Sequence, residues 1–210
     1  MLKILIADDH PIFREGIKKF INREVDLDVA FEASDGNEAY SLLLDNDVNV
    51  AILDIDLPGR SGIDILIDVR KIKPKLPILI FSMHPEERFG IRAFKAGANG
   101  YLSKEEDSRK LIEAIYTVSQ GRKYITPLLA EKLAFEVGKD TDKLPHELLS
   151  NREFEIMRMI ALGKSVKDVA DELSLSINTI NTYRSRILEK MNMKTNMEIA
   201  YYAIKNDLID

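Results

Sequence analysis

The stretch Val50 to Gly62 reads Val-Ala-Ile-Leu-Asp-Ile-Asp-Leu-Pro-Gly-Arg-Ser-Gly. Its first four residues are apolar, which predicts a buried parallel strand, and Pro58-Gly59 predicts a tight turn soon afterwards. Asp54 therefore ends a strand. In an open parallel sheet ligands bind at that edge, because the loops diverge there into a crevice. The stretch predicts an α/β fold with a ligand-binding carboxylate at Asp54; the alternative is a carboxylate that only caps the turn.

Three other strand-like runs also end in polar side chains, namely Asp8-Asp9, Ser82 and Lys104. If the strands are parallel neighbours, several carboxylates meet at one edge, and two of them about 4 Å apart repel by roughly 4 kcal/mol at an effective dielectric near 20. A divalent cation resolves this conflict, and Mg²⁺ prefers carboxylate and phosphate oxygens. The pattern predicts a Mg²⁺ site, with a hydroxyl and an ammonium group able to hold phosphoryl oxygens.

Strand-like and helix-like segments alternate five times along the first part of the chain. The predicted strands are 3–7, 28–33, 49–53, 77–81 and 100–102, and the predicted helices are 11–23, 36–46, 62–72, 86–96 and 108–120. Short connections between β-α units imply a parallel sheet covered on both faces, in the flavodoxin-like strand order. We predict a first domain over residues 1–122 and a linker over 123–145, which contains a helix-like piece at 128–137 and a charged, turn-rich end.

The third predicted segment, residues 146–210, is an all-α domain. Ser150 and Glu153 form a capping-box sequence, and residues 166–173 and 176–191 predict a short helix and a longer one joined by a tight turn. This helix-turn-helix layout places the second helix in a DNA major groove. The spacing predicts a buried stripe in that helix: Ile177, Ile180, Ile187, Leu188 and Met191. Its polar outer face suits base and phosphate contacts, although such a face is also typical of an ordinary solvated helix.

Composition excludes several classes of protein. No window holds 18 apolar residues, which excludes a membrane-spanning helix, and the net charge of −5 argues against indiscriminate binding of nucleic acid. The chain has no cysteine, so disulfides and thiolate metal sites are excluded, and we predict a cytoplasmic protein. The three histidines show no metal-ligand spacing.

The polar strand-end residues, taken as a set, resemble the site of a two-component receiver domain: Asp8-Asp9, Asp54 with Pro58-Gly59, Ser82, Tyr101 and Lys104. The resemblance implies that a histidine kinase phosphorylates Asp54. It implies that Asp8, Asp9, Asp54 and the main-chain carbonyl of Asp56 bind Mg²⁺. Ser82 and Lys104 would contact the phosphoryl group, and Tyr101 would be the switch aromatic. The protein would not be an enzyme beyond slow self-dephosphorylation, and we expect Asp56 and His84 to set that rate.

Four segments of the last domain resemble a LuxR-type helix-turn-helix: 149–157, 163–170, 173–176 and 179–180. With the receiver, they indicate the NarL/FixJ group of response regulators. The resemblance implies contacts with double-stranded DNA by Lys167, Asn178, Thr179, Asn181, Thr182, Ser185 and Arg186. The chain departs from the family at Val166, Asn181 and Tyr183, where Asn, Lys and His are usual. The loss of a cation at position 181 predicts altered base choice, so the operator of a relative cannot be transferred.

The final predicted helix, residues 196–206, carries an apolar stripe: Met197, Ala200, Tyr201 and Ile204, with Leu208 beyond it. This stripe could simply close the core of the small domain. The family resemblance implies that the helix also pairs two copies on DNA, and we assign that role to Met197, Tyr201 and Ile204. The predicted assembly is a homodimer, formed when the protein is phosphorylated, on two half-sites about one helical turn apart. RNA polymerase is a further candidate partner.

Two alternatives remain open from the sequence. Asp54-Ile-Asp56 also fits the Asp-x-Asp motif of haloacid-dehalogenase-type phosphatases, but that family has Thr or Val at the position of Pro58 and a late acidic pair, not Asp8-Asp9. The other alternative is a regulator that works without phosphorylation and uses the receiver only to dimerise.

Overall fold

The computed structural model describes residues 1–137 and 144–209, and the chain divides into two compact units, Met1–Lys139 and Asp140–Asp210. The first unit is built on a five-stranded parallel sheet with strands β1 (Leu2–Ala7), β2 (Leu27–Ala33), β3 (Val50–Leu53), β4 (Ile78–Ser82) and β5 (Gly100–Ser103). The strand order is β2-β1-β3-β4-β5. This confirms the predicted flavodoxin-like fold. Because β3 is central and covered on both faces, all four of its residues are buried.

Five helices pack on the sheet: α1 (Pro11–Ile21), α2 (Gly36–Asp45), α3 (Gly62–Ile72), α4 (Glu86–Lys95) and α5 (Ser108–Ser119). Local capping determines where several begin. The Asp35 side chain accepts hydrogen bonds from the amides of Asn37 and Glu38, and the Ser61 hydroxyl accepts one from Ile63. These bonds satisfy amides that a helix leaves unpaired in its first turn. These caps define where α2 and α3 begin after the loops that follow β2 and β3.

A sixth helix, α6 (Pro127–Val137), lies within the segment predicted as a linker, at the helix-like piece of that segment. Leu129 of α6 is fully buried against Gly90 of α4, where a Cβ atom would come within 2.8 Å of the leucine Cδ1. The Thr126 hydroxyl adds a 2.7 Å hydrogen bond to Glu86 of α4. This part of the predicted linker thus packs on the first unit. The turn-rich residues 138–143 lie outside the described residues, and the predicted domain limits stay predictions.

The second unit is helical, with a 3₁₀ turn (Pro145–Leu148), α7 (Asn151–Ala161), α8 (Val166–Glu172), α9 (Ile177–Lys190) and α10 (Asn196–Lys205). Ser150 and Glu153 form the predicted capping box at α7. The turn between α8 and α9 passes through Ser174 at φ 53°, a left-handed conformation that ends the first helix abruptly. Helix α7 packs on α9 and α10 and is buried along its length. The predicted helix-turn-helix layout is therefore present in α8 and α9.

None of the helices in the described part of the chain combines the length and the apolar run that a membrane span requires.

Candidate functional sites

The carboxylates predicted to meet at the sheet edge lie together. Strands β1 and β3 are neighbours with Ala7 opposite Leu53, so Asp8 and Asp54 leave the sheet at the same level. Both are buried, at 2% and 4% exposure. Side-chain ligand atoms of Asp8, Asp9, His10 and Asp54 all lie within 4.8 Å of one another. Clustered carboxylate oxygens at this spacing fit the preference of a hard divalent cation.

Lys104 completes this cluster from the end of β5. Its Nζ lies 2.7 Å from Oδ2 of Asp8 and 2.5 Å from Oδ2 of Asp54, and its side chain is only 2% exposed. Burial raises the pKa of the Asp54 carboxyl, and the Lys104 ammonium offsets part of that rise. Burial alone would lower the pKa of Lys104, but the two carboxylates outweigh it and raise it. One ammonium group therefore neutralises part of the charge of two buried acids.

Ser82 and Tyr101 both hold the loop between β4 and α4. Ser82 is fully buried, and its Oγ accepts a 3.3 Å hydrogen bond from the amide of His84. The Tyr101 ring is also fully buried, and its hydroxyl donates to the carbonyl of His84 at 2.8 Å. Ser82 and Tyr101 are therefore linked by hydrogen bonds to the main chain of the same loop residue, His84.

The side chains of Asp56 and His84 face each other beside the cluster. Nε2 of His84 lies 2.9 Å from Oδ2 of Asp56, and the imidazole stacks on Phe89 of α4 at a centroid distance of 4.5 Å. The loop that carries Asp56 turns so tightly that a Cβ atom on Gly62 would lie 1.9 Å from the Asp54 carbonyl oxygen. Glycine is therefore required there, as it packs the start of α3 directly against the strand end.

Sequence reasoning missed two residues of this site. Nδ1 of His10 lies 2.7 Å from Asp9 Oδ1, and its amide donates to Asp8 at 2.9 Å. Its position directly after the acidic pair was a usable signal. Phe13 of α1 places its ring 4.7 Å from the Lys104 Nζ, an attractive cation–π geometry. No local pattern links Phe13 to Lys104, since only the packing of α1 on the sheet brings them together.

The predicted DNA-contact residues lie on or next to the outer side of α9. Asn178, Asn181, Thr182, Ser185 and Arg186 are all exposed, and Lys167 on α8 is exposed as well. Thr179 is half-buried in the first turn of α9, where its hydroxyl is 2.8 Å from that of the cap residue Ser176. Together with half-buried Tyr183, several of these side chains line a shallow surface groove. The outer face is therefore polar and accessible.

The inner side of α9 is mostly as predicted. Ile180, Ile187 and Met191 are buried in the core of the second unit, and Leu188 is half-buried. The prediction that Ile177 is buried is wrong: it remains 50% exposed. Ile177 is the first residue of the helix, so no preceding helical turn covers it.

Helix α10 presents an apolar surface stripe formed by Met197, Tyr201 and Ile204, which are 82%, 70% and 62% exposed. Its core-facing residues are Ile199 and Ala203. The prediction that Leu208 lies on the same side as this stripe is wrong. The helix ends at Lys205, the backbone reverses at Asp207 with φ 53°, and Leu208 is buried.

Comparison with known proteins assigns both units. Residues 4–116 match the family described as "Response regulator receiver domain", and residues 147–203 match "Bacterial regulatory proteins, luxR family". The chain is 36% identical to the oxygen regulatory protein NreC of Staphylococcus epidermidis, with full coverage of both chains. A crystal structure of a LuxR-family two-component response regulator from an Aurantimonas species matches at 37% identity and a TM-score of 0.60, covering 65% of this chain and 98% of that one. For the fold alone, RcsB of Salmonella enterica matches with a TM-score of 0.66 at 24% identity, covering 96% of this chain and 97% of that one.

Proposed function

The chain belongs to the response regulators that join a receiver domain to a LuxR-type DNA-binding domain and control transcription in two-component systems, and on this premise we propose that a histidine kinase phosphorylates it on Asp54. The observation that carries the proposal is the Lys104 ammonium between the buried carboxylates of Asp8 and Asp54. Both family matches are to regulatory domains, which disfavours the phosphatase alternative. The protein is a regulator of transcription and not an enzyme in the usual sense.

The proposed transfer is made by the Asp54 carboxylate. One of its oxygens attacks phosphorus, the P–N bond of the donor's phosphohistidine breaks, and the donor imidazole keeps the electron pair. Oδ1 of Asp54 accepts a 2.6 Å hydrogen bond from the Ile55 amide, and Lys104 contacts Oδ2, so the nucleophile is held in a fixed orientation. After the transfer, the Lys104 ammonium would contact the phosphoryl oxygens, which then carry the negative charge.

Asp8, Asp9, Asp54 and the main-chain carbonyl of Asp56 would hold Mg²⁺. When bound, the ion offsets the charge of the clustered carboxylates and of the phosphoryl oxygens. The close spacing of the carboxylate oxygens supports this assignment. A thermal-shift titration tests it: Mg²⁺ should raise the unfolding temperature of the wild-type protein. Asp9→Asn should abolish most of this rise, whereas an unchanged rise would refute the ligand set.

We propose that the β4–α4 loop carries the switch. Phosphorylation gives Asp54 about −1.5 to −2 charges in place of −1. The Ser82 hydroxyl would turn to this group, and its bond with the His84 amide would be lost. Tyr101 is bonded to the same residue and would respond with it. A switch from 1% to 99% active requires a preference of about 5.5 kcal/mol for the active state.

The Asp56–His84 pair supports a role in the lifetime of the phosphoryl group. The Asp56 carboxylate acts electrostatically on Asp54, and His84 contacts Asp56, so the pair would orient or exclude the water that hydrolyses the acyl phosphate. Slow self-dephosphorylation is therefore proposed to depend on this pair. Autodephosphorylation measured with Asp56→Asn and His84→Ala should differ from the wild-type rate. Equal rates in all three proteins would remove the pair from the mechanism.

The DNA partner is proposed to be a double-stranded operator with two half-sites, bound by a phosphorylated homodimer in the cytoplasm. The exposed α9 residues support base contact, and Lys167 on α8 supports a phosphate contact. The stripe of Met197, Tyr201 and Ile204 supports pairing of two copies through α10, because a stripe of that size is costly to leave in water. RNA polymerase is proposed as a further partner.

One experiment tests the phosphorylation step. Binding to a selected operator is measured with and without acetyl phosphate and Mg²⁺, for wild type and for Asp54→Asn. Asn keeps the size of the side chain and removes its charge. Acetyl phosphate should tighten specific binding in wild type alone. Equal affinities in both proteins under all conditions would instead favour a regulator that works without phosphorylation.

A further inference from the structure

We propose that the N-terminal half of α9 reads A·T base pairs, through the carboxamides of Asn178 and Asn181 and the methyl group of Thr182. The proposal deepens the proposed function, since it rests on α9 being the element that contacts DNA. It names the bases which this surface recognises.

Two hydroxyl groups on this surface are already committed to the helix backbone. The Thr182 hydroxyl donates to the carbonyl of Asn178 at 3.0 Å, and the Ser185 hydroxyl donates to the carbonyl of Asn181 at 3.1 Å. A carbonyl oxygen is only an acceptor, so each hydroxyl uses its one O–H donor in this bond. In this arrangement neither hydroxyl donates a hydrogen bond to a base. With its hydroxyl turned to the backbone, Thr182 offers a base chiefly its methyl group.

The two carboxamides remain available. Asn178 and Asn181 are exposed, and neither carboxamide has a hydrogen-bond partner among the residues that the structure describes. Residues three apart lie on one face of a helix. In a helix-turn-helix, the N-terminal residues of the second helix are those that contact base edges. Both carboxamides thus stand where bases are read.

The chemistry of these groups selects the base. In the major groove adenine presents an acceptor at N7 beside a donor at N6, and a carboxamide supplies the matching donor and acceptor. Guanine presents two acceptors, which call for the paired donors of arginine or for lysine. The thymine methyl group is matched by the methyl group of threonine. Asn178, Asn181 and Thr182 together therefore match A·T pairs.

The cations of α9 lie outside the reading half. Residues 177–183 contain no lysine or arginine. Arg184 donates through Nε to the Asn196 side chain at 2.7 Å and is held toward the start of α10. Arg186 is exposed, but it lies beyond Asn181 by more than one helical turn. Arg184 is thus engaged with α10, and Arg186, at the far end of the groove that Asn178 and Thr182 line, suits a phosphate or flanking contact.

Selection from a randomised duplex pool tests the proposal, using the full-length protein with acetyl phosphate and Mg²⁺. Wild type should enrich adenine at two positions of each half-site. Asn181→Ala and Asn178→Ala should each reduce the preference for adenine at one position by roughly 5- to 150-fold, the range that one bidentate pair supplies. Glu189→Gln is the control on the same helix and should leave the selected sequence unchanged, because this exposed side chain lies about two helical turns beyond Asn181.

Asn181→Lys provides a second variant, and it should move the preference at its position from adenine to guanine. Half-sites with guanine at the positions that respond to the Asn variants would overturn the proposal. An Asn181→Ala pool identical to the wild-type pool, or a wild-type pool without any enriched sequence, would also overturn it. The pools with and without acetyl phosphate separate this result from phosphorylation: equal enrichment in both contradicts control through Asp54 and still reports the bases.

Discussion

Replacing Leu129 with alanine removes the side chain that holds α6 on α4. Leu129 is fully buried in the notch left by Gly90, and other contacts between α6 and α4 include the Thr126–Glu86 hydrogen bond and a 3.4 Å hydrogen bond from Lys132 to the Glu87 carbonyl. Truncation of a buried leucine to alanine costs about 2–5 kcal/mol. Because α6 packs mainly on one helix and can relax, we expect about 2–3 kcal/mol, the lower part of that range. This corresponds to a population of detached α6 roughly 30- to 150-fold larger.

Hydrogen exchange of the full-length protein measures this effect directly. Amides of α6 should exchange faster in Leu129→Ala, while amides of the central strands keep their protection, because detachment is a local opening. Leu128→Ala is the matched control: Leu128 is 42% exposed, and its truncation should change exchange little. Unchanged α6 exchange in Leu129→Ala would refute the reasoning, and so would equal acceleration in both variants.

Three further predictions concern charge and assembly. Burial alone would raise the pKa of Glu153, but hydrogen bonds from Lys190 and from the cap residue Ser150 outweigh burial and lower this pKa. The Glu153 carboxylate therefore stabilises the second unit above about pH 4.3, and this stability is lost as the pH falls. In Glu153→Gln, thermal unfolding should depend less on pH between about 5 and 3; an unchanged slope would contradict this. The pKa of Lys104 is raised, so its contribution is present below about pH 10.4 and lost as the pH rises further. Lys104→Met should lack this alkaline loss in the same measurement, and its persistence would assign the loss to other groups. Tyr201→Ser should weaken dimerisation, as measured by analytical ultracentrifugation. The unfolding temperature of the monomer should stay nearly unchanged, because the Tyr201 side chain is 70% exposed. An unaltered dimer would exclude α10 as the interface.

The cluster of Asp8, Asp54 and Lys104 is predictable from the amino-acid sequence. Each residue ends an apolar run, and parallel strands bring their carboxyl ends to one edge of a sheet. The predicted strand bounds agree closely with the observed ones for the same reason, since continuous apolar runs bounded by turn residues leave little freedom. The capping box of α7 is predictable because it depends on residues only three positions apart.

Contacts between distant segments are harder to predict. The segment that contains α6 reads as a linker, because docking depends on Leu129 meeting a glycine on another helix. The burial of Leu208 depends on a reversal at Asp207, an Asp at positive φ that no local pattern required. The exposure of Ile177 follows from where α9 begins and not from its spacing. In each case, whether a side chain is buried depends on the segment that packs against it. Hydrophobic periodicity describes the side chain's own segment and not the segment that covers it.

The sequence by itself determined the order of strands and helices, the residues that cap them and the polar groups at each strand end, because these follow from neighbours a few residues apart. Only the tertiary structure decided that Lys104 bridges two acids, that His84 joins Ser82 to Tyr101, and that α6 packs on α4. These arrangements are selected by burial and hydrogen-bond satisfaction among groups that meet only when the chain is folded.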